Sequence, residues 1–241
     1  MSGHSKWNNI KHKKEKSDAA KAKIFTKIGK EMAVAIKAGG PDPNTNNKLR
    51  DLIAKAKANN VPNENIQRTI KKFTDSNDVN YEEITYEGYG PAGVAVIVET
   101  ATDSRNRTAG DVRHYFDKCG GNLGVSGCVG FLFSEMGLIT IEDEDAEIDE
   151  EALMEVALEA GAADFKSEEG LYEIYTEPDD LVAVSEAITA AGYTVASAER
   201  SKIPSTYVTI EDEEAAANME KLLDMLDENE DVTNVYHNWE V

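Results

Sequence analysis

The chain has 241 residues, 41% apolar and 29% charged, with a formal net charge of −21, a length and balance that suit two or three globular domains and exclude wholesale disorder. Its two cysteines, Cys119 and Cys128, exclude a disulfide framework and a four-cysteine zinc site and fit a reducing compartment. No run approaches the roughly 18 apolar residues of a membrane span, and the basic N-terminus lacks the apolar stretch of a secretory signal, so a cytoplasmic protein without membrane contact is expected.

The net charge conceals a split. Residues 1–75 hold 17 Lys and Arg against 7 Asp and Glu, a net of +10, whereas the remaining 166 hold 8 against 39, a net of −31. A phosphate backbone responds to local basic surface and not to the molecular average. Residues 1–75 are therefore expected to hold nucleic acid, the alternative being a solvated lysine face.

In chain order, the arm Gly3-His-Ser-Lys-Trp-Asn-Asn-Ile-Lys-His-Lys-Lys14 interleaves cations with an aromatic. Lys6, Lys11, Lys13 and Lys14 suit phosphates, and Trp7 could stack on a base or staple the arm to the helices. His4, His12 and Lys16 belong to the same basic arm. Residues 17–38 read as a helix with Ile24, Phe25, Ile28, Met32 and Ile36 on one face and Lys16, Lys23, Lys27, Lys30 and Lys37 on the opposite one. Gly39-Gly40-Pro41 stops it. Helices at 46–59, carrying Arg50, Lys55 and Lys57, and at 62–73 follow, joined by Asn-Asn-Val-Pro in a helix-turn-helix-like corner. The third helix offers Asn63, Asn65, Gln67 and Arg68 beside Lys71 and Lys72, few groups suited to base edges.

The charge changes sign after Phe73, and a hinge is expected at 74–80. Strands read at 84–87 and 94–101, a helix at 107–118 and a strand at 129–134. Next come a strand at 138–142, a helix at 149–160, strands at 163–166 and 171–176, a helix at 178–191 and a strand at 193–198, the order βαββαβ. A strand at 207–210, a helix at 211–229 and a strand at 232–237 complete the chain. The expectation is an α+β protein: a basic helical domain (1–76), then two ferredoxin-like domains, one discontinuous (77–135 plus 204–241) and one acidic and inserted (136–203). A single continuous mixed sheet is the alternative.

Arg105, Arg107 and Arg113 concentrate three of the acidic portion's eight cations within nine positions. Arginine binds phosphate by a planar fork, and intramolecular pairing with Asp103, Asp111 and Asp117 competes with that reading. The stretch Gly120-Gly-Asn-Leu-Gly-Val-Ser-Gly127 lacks the Lys-Ser/Thr of a P-loop and reads as a flexible loop that lets backbone approach a partner such as RNA. The four histidines, His4, His12, His114 and His237, form no metal-ligand pair, and Cys119 reads as structural. No catalytic residue, metal, cofactor or small-molecule substrate is expected.

Seven segments, Gly3–His12, Ala22–Ile28, Tyr86–Pro91, Ser104–Thr108, Lys118–Gly124, Ile203–Thr206 and Val235–Asn238, resemble the YebC/PmpR family throughout the chain. The resemblance implies a helical first domain followed by two α+β domains, and a DNA-binding regulator of transcription. Members that activate translation imply, alternatively, a ribosome-associated factor contacting rRNA or tRNA and relieving stalling at proline-rich stretches. An acidic protein-interaction module at 136–203 is a third reading. A monomer or weak dimer is expected.

Overall fold

The structure is a computed structural model that describes residues 18–75, 80–143, 147–168 and 170–240. Three helices come first, α1 (Asp18–Gly39), α2 (Asn47–Ala58) and α3 (Asn63–Asp75). Each must bury one apolar stripe. Ile28, Met32 and Ile36 of α1 meet Leu49, Leu52 and Ala56 of α2 and Ile66 of α3. Asn46 fixes the first corner: its Oδ1 accepts from the Leu49 N–H at 3.1 Å, capping α2, while its Nδ2 donates to the carbonyls of Ala35 and Gly40, both at 2.8 Å, so the orphan groups of two helix ends share one side chain. The second corner turns at Asn60, whose φ of 57° is a left-handed conformation that asparagine tolerates.

The hairpin β1 (Glu82–Tyr89) and β2 (Ala95–Thr102) follows, then α4 (Arg105–Lys118) and β3 (Asn122–Leu123). Next come β4 (Phe133–Glu142), α5 (Glu150–Glu159), β5 (Asp164–Glu168), β6 (Leu171–Thr176), α6 (Leu181–Ala190) and β7 (Ser197–Pro204). The chain ends with β8 (Val208–Thr209), α7 (Glu213–Glu228), β9 (Val232–His237) and β10 (Trp239–Glu240). Two compact units result. Phe133–Ile203 form one, and the described residues before Phe133 form the other together with Pro204 onward.

In the first unit the order βαββαβ folds into a sheet ordered β5-β6-β4-β7, the ferredoxin-like arrangement expected from the pattern. Ile139, Ile141 and Ile174 of the sheet pack on Leu153 of α5 and on Val184 and Ile188 of α6. The strand expected at 193–198 begins only at Ser197, because Tyr193 and Val195 pack against the core from the connecting turn.

In the second unit the sheet runs β3-β1-β2-β9. This is again the ferredoxin-like spatial order, with one difference: the strand in the third place, β1, enters from the N-terminal side of the hairpin. The strand expected at 129–134 does not join this sheet; Gly130–Leu132 form a 3₁₀ turn and Phe133 opens β4. The backbone N–H groups of Gly127, Val129 and Gly130 donate instead to the Glu87 carboxylate at 2.7–2.9 Å, so they are not available to a ladder. Val94, Val96 and Val98 face Val112 and Phe116 of α4 and Met219, Leu222 and Leu226 of α7.

Phe116 is fully buried at the centre of this core. Phe116→Ala should cost about 3–5 kcal/mol, read as a lower urea midpoint at unchanged m-value. A loss below about 1 kcal/mol would contradict its place there.

Candidate nucleic-acid interface

The lysine face expected on α1 does not lie open to solvent along its length. Lys27 is buried, and its Nζ donates to the Asp227 carbonyl at 2.7 Å and to Asp227 Oδ1 at 3.3 Å. One turn on, Lys30 Nζ donates to the Glu230 carbonyl at 2.9 Å and to Asp231 Oδ1 at 2.7 Å. The expected placement of these two lysines on an open face opposite the apolar stripe is corrected: they bind at the C-terminal end of α7, where carbonyls beyond the intrahelical ladder and the negative end of the helix dipole attract cations. Lys23 remains half-buried, and Lys37 Nζ donates to Asn80 Oδ1.

Asp231 is the centre of this junction. Besides Lys30, its carboxylate accepts from Arg107 Nη2 at 2.6 Å, from Thr108 Oγ1 at 2.8 Å and from Thr102 Oγ1 at 3.3 Å. Burial alone would raise its pKa; hydrogen bonds from Lys30, Arg107 and Thr108 outweigh that cost and hold it at about 2. Hydrogen bonding to Asp231, then to Asp103, raises the Arg107 pKa in turn. An open cleft of roughly 490 Å³ beside the junction is lined by Thr26, Lys30, Tyr81, Asp103, Arg107 and Asp231 among others, so charges of both signs face it.

Lys55 also turns inward. It donates to Asn234 Oδ1 at 3.1 Å and lies 3.5 Å from Glu31, while Asn234 Nδ2 donates to Glu31 at 3.0 Å and to Glu99 at 3.2 Å. The arginine cluster divides. Arg105 pairs with Glu82 at 2.8 Å, and Arg107 pairs with Asp103 at 2.9 Å as well as with Asp231, the competing intramolecular reading with Asp231 as an added partner. Arg113 is exposed. His4, Lys6, Trp7, Lys11, His12, Lys13, Lys14 and Lys16 lie outside the described residues.

Among the described residues, the exposed cations of the helical segment sit mainly on α2 and α3. Arg50 and Lys57 are exposed on α2, as are Arg68, Lys71 and Lys72 on α3 together with Gln67. Their spacing of three and four residues places Arg68, Lys71 and Lys72 on one side of α3, away from Ile66, Ile70 and Phe73, which pack on the helical core. Arg68 Nη2 also donates to Asn65 Oδ1 at 2.6 Å, and Lys72 Nζ lies over the Phe73 ring at 5.2 Å from its centroid. The three-and-four spacing of Arg68, Lys71 and Lys72 is itself a signal in the sequence for a shared side.

The glycine-rich stretch is tied down, contrary to the expected flexible loop. Besides the three N–H groups on its carboxylate, Glu87 receives the Gly124 N–H on its carbonyl at 2.8 Å, and Tyr89 Oη donates to the Cys128 carbonyl at 3.3 Å. A Cβ on Gly124 would approach Cys128 Sγ to 2.5 Å, and Gly127 takes a φ of +84°. Burial raises the Cys119 thiol pKa, which disfavours the reactive thiolate. Among the described residues no group of three or more His, Cys, Asp or Glu could hold a metal, and no helix is long and apolar enough to cross a membrane.

A basic helical segment followed by split α+β sheets defines the class to which this chain belongs. Residues 5–76 match the model of the TACO1/YebC protein N-terminal domain, and residues 81–239 match that of the TACO1/YebC second and third domain. The chain belongs to the TACO1/YebC family. A relative from Lachnoclostridium phytofermentans is 54% identical over 241 residues and one from Agathobacter rectalis 57% identical over 241 residues, each covering 100% of both chains and each named "probable transcriptional regulatory protein". The crystal structure of a conserved hypothetical protein from Aquifex aeolicus, 46% identical, superposes with a TM-score of 0.85 over 97% of this chain and 96% of that one.

The Asp231 junction sets an acid limit on stability. Its pKa is depressed relative to the unfolded chain, so its contribution is present above pH 4 and lost as pH falls towards 2. The depression corresponds to about 2 kcal/mol. Asp231→Asn should remove that part of the acid dependence and lower stability at pH 7. Identical acid unfolding profiles for the two proteins would contradict the assignment.

Proposed function

We propose that this protein is a non-enzymatic, nucleic-acid-binding regulator of gene expression that uses its N-terminal arm and the solvent sides of α2 and α3. One observation carries the reading: Lys27, Lys30 and Lys55 are engaged within the fold, while Arg50, Lys57, Arg68, Lys71 and Lys72 remain exposed. An exposed group of cations on a chain whose remaining 166 residues carry a net of −31 concentrates the attraction for a polyanion on the helical segment. The names of the relatives, probable transcriptional regulatory proteins, favour a role in transcription.

A second reading, contact with ribosomal RNA or tRNA during translation, is supported by the make-up of α3. Lysine contacts position a protein on phosphate without reading sequence, and the one arginine of α3 is hydrogen-bonded to Asn65. Base readout from this helix is accordingly restricted, and the same surface suits structured RNA.

Replacing Arg68, Lys71 and Lys72 by Glu in the full chain should leave the helical core intact and weaken binding to duplex DNA or structured RNA by about tenfold or more. The slope of log affinity against log salt should fall by roughly 2–3 on duplex DNA, at about 0.9 per lost phosphate contact. Fluorescence anisotropy across a salt series measures both, and an unchanged affinity with an unchanged slope would overturn the proposed surface.

A further inference from the structure

The two most exposed large apolar residues in the described chain are Val125, at 78%, and Phe131, at 75%. Both belong to the glycine-rich loop between β3 and β4. A large apolar side chain held in water by an ordered backbone is informative in a way that scattered surface leucines are not. This backbone is ordered by its own chemistry. The buried Glu87 carboxylate collects the N–H groups of Gly127, Val129 and Gly130, and Tyr89 Oη holds the Cys128 carbonyl.

The charge around the loop departs from its surroundings. Residues 118–134 form the longest run in the chain without Asp or Glu, 17 residues, inside a portion whose net charge is −31. Residues 88–98 and 204–210 are also free of carboxylates, and the fold brings both beside it: Gly88 pairs with Leu123 and Tyr89 with Asn122, while the Ser205 N–H and Oγ donate to the Leu132 carbonyl at 2.8 and 3.1 Å. Lys118 and Lys221, two of the acidic portion's eight cations, are exposed and both act electrostatically on Cys119 at the base of the loop.

We propose that this loop is a second contact for nucleic acid, with Phe131 as a stacking platform for an unpaired base, Val125 as a second exposed apolar residue of the same loop, and Lys118 and Lys221, both acting on Cys119 just before it, as cations for the phosphate backbone. The inference rests on the nucleic-acid reading above and extends it from backbone contact by the helices to base contact by the sheet unit. Aromatic rings bind single strands through the faces of bases, which duplex stacking hides, and each stacked base contributes enough to be measured on truncation. The absence of carboxylates over three converging segments, with the Glu87 carboxylate taken up by the loop's own N–H groups, lessens the repulsion that the rest of the acidic portion would exert on a phosphate backbone. Docking on another protein is the competing occupant, and it would require no affinity for isolated single strands.

The test uses the full chain and short single-stranded RNA and DNA oligonucleotides of mixed sequence, with a duplex of the same sequence as control. Phe131→Ala should weaken single-strand binding by roughly tenfold, within the range expected for one stacked base, leave duplex binding unchanged, and leave the thermal unfolding profile unaltered because the ring is exposed. Phe131→Trp should restore the affinity. Single-strand affinity that is indifferent to Phe131→Ala, or a loss equal on duplex, overturns the inference and returns the apolar tip to a protein partner. If the unaltered protein binds neither duplex nor single strand, the nucleic-acid reading fails and this inference fails with it; if the α3 substitutions abolish duplex binding while Phe131→Ala changes nothing, only this inference fails.

Discussion

A carboxylate removed from water must be matched by donors or it protonates. Asp231 is matched by an ammonium, a guanidinium and two hydroxyls from four residues on three elements: Lys30 on α1, Arg107 and Thr108 on α4, and Thr102 at the end of β2. Its backbone is fixed as well, because the Asp231 N–H donates to Asn229 Oδ1 at 2.8 Å and its carbonyl accepts from the Ala101 N–H at 2.8 Å. One residue at the turn between α7 and β9 thus sets where the first helix lies against the sheet unit. Lys27 on the Asp227 carbonyl and Lys55 on Asn234 repeat the pattern on either side.

This arrangement changes what the charge split means. The basic segment and the acidic residues up to Leu132 and from Pro204 onward complement each other within one compact unit, so part of the +10 is neutralised inside it. Buried pairs of this kind add little net stability compared with an apolar junction, but they are costly to break on one side only. Among the described residues of the helical segment, the cations left at the surface are displayed mainly by α2 and α3. The helices that display them are held together by an apolar core of Ile28, Met32, Leu49 and Ile66.

Much of this fold could be read from the sequence where a single element carries its own signal. The period of Ile28, Met32 and Ile36 located α1, the glycines at 39 and 40 ended it, and the βαββαβ alternation located the ferredoxin-like unit to within a few residues. Signals that depend on distant partners were not legible. Lys27 and Lys30 show the helical spacing of a solvated face, and only Asp227 and Asp231, some 200 residues later, turn that face inward. Val129–Phe133 has strand composition, yet Glu87 takes its donors and leaves Phe131 in solvent. Of the arginine cluster, local sequence identified the Asp103 partner of Arg107 but not the buried Asp231.

The proposed function divides the labour, with the α1 lysines holding the fold and the α3 cations assigned to the ligand. Comparing Lys30→Met with Lys71→Met in the full chain, each measured for unfolding free energy and for affinity to one duplex at matched salt, tests it most directly. The account predicts that Lys30→Met loses about 3 kcal/mol of stability, since it strips one partner from a buried pair, and keeps its affinity once folded. It predicts that Lys71→Met keeps its stability and loses affinity. A Lys30→Met protein as stable as the original but impaired in binding would contradict it.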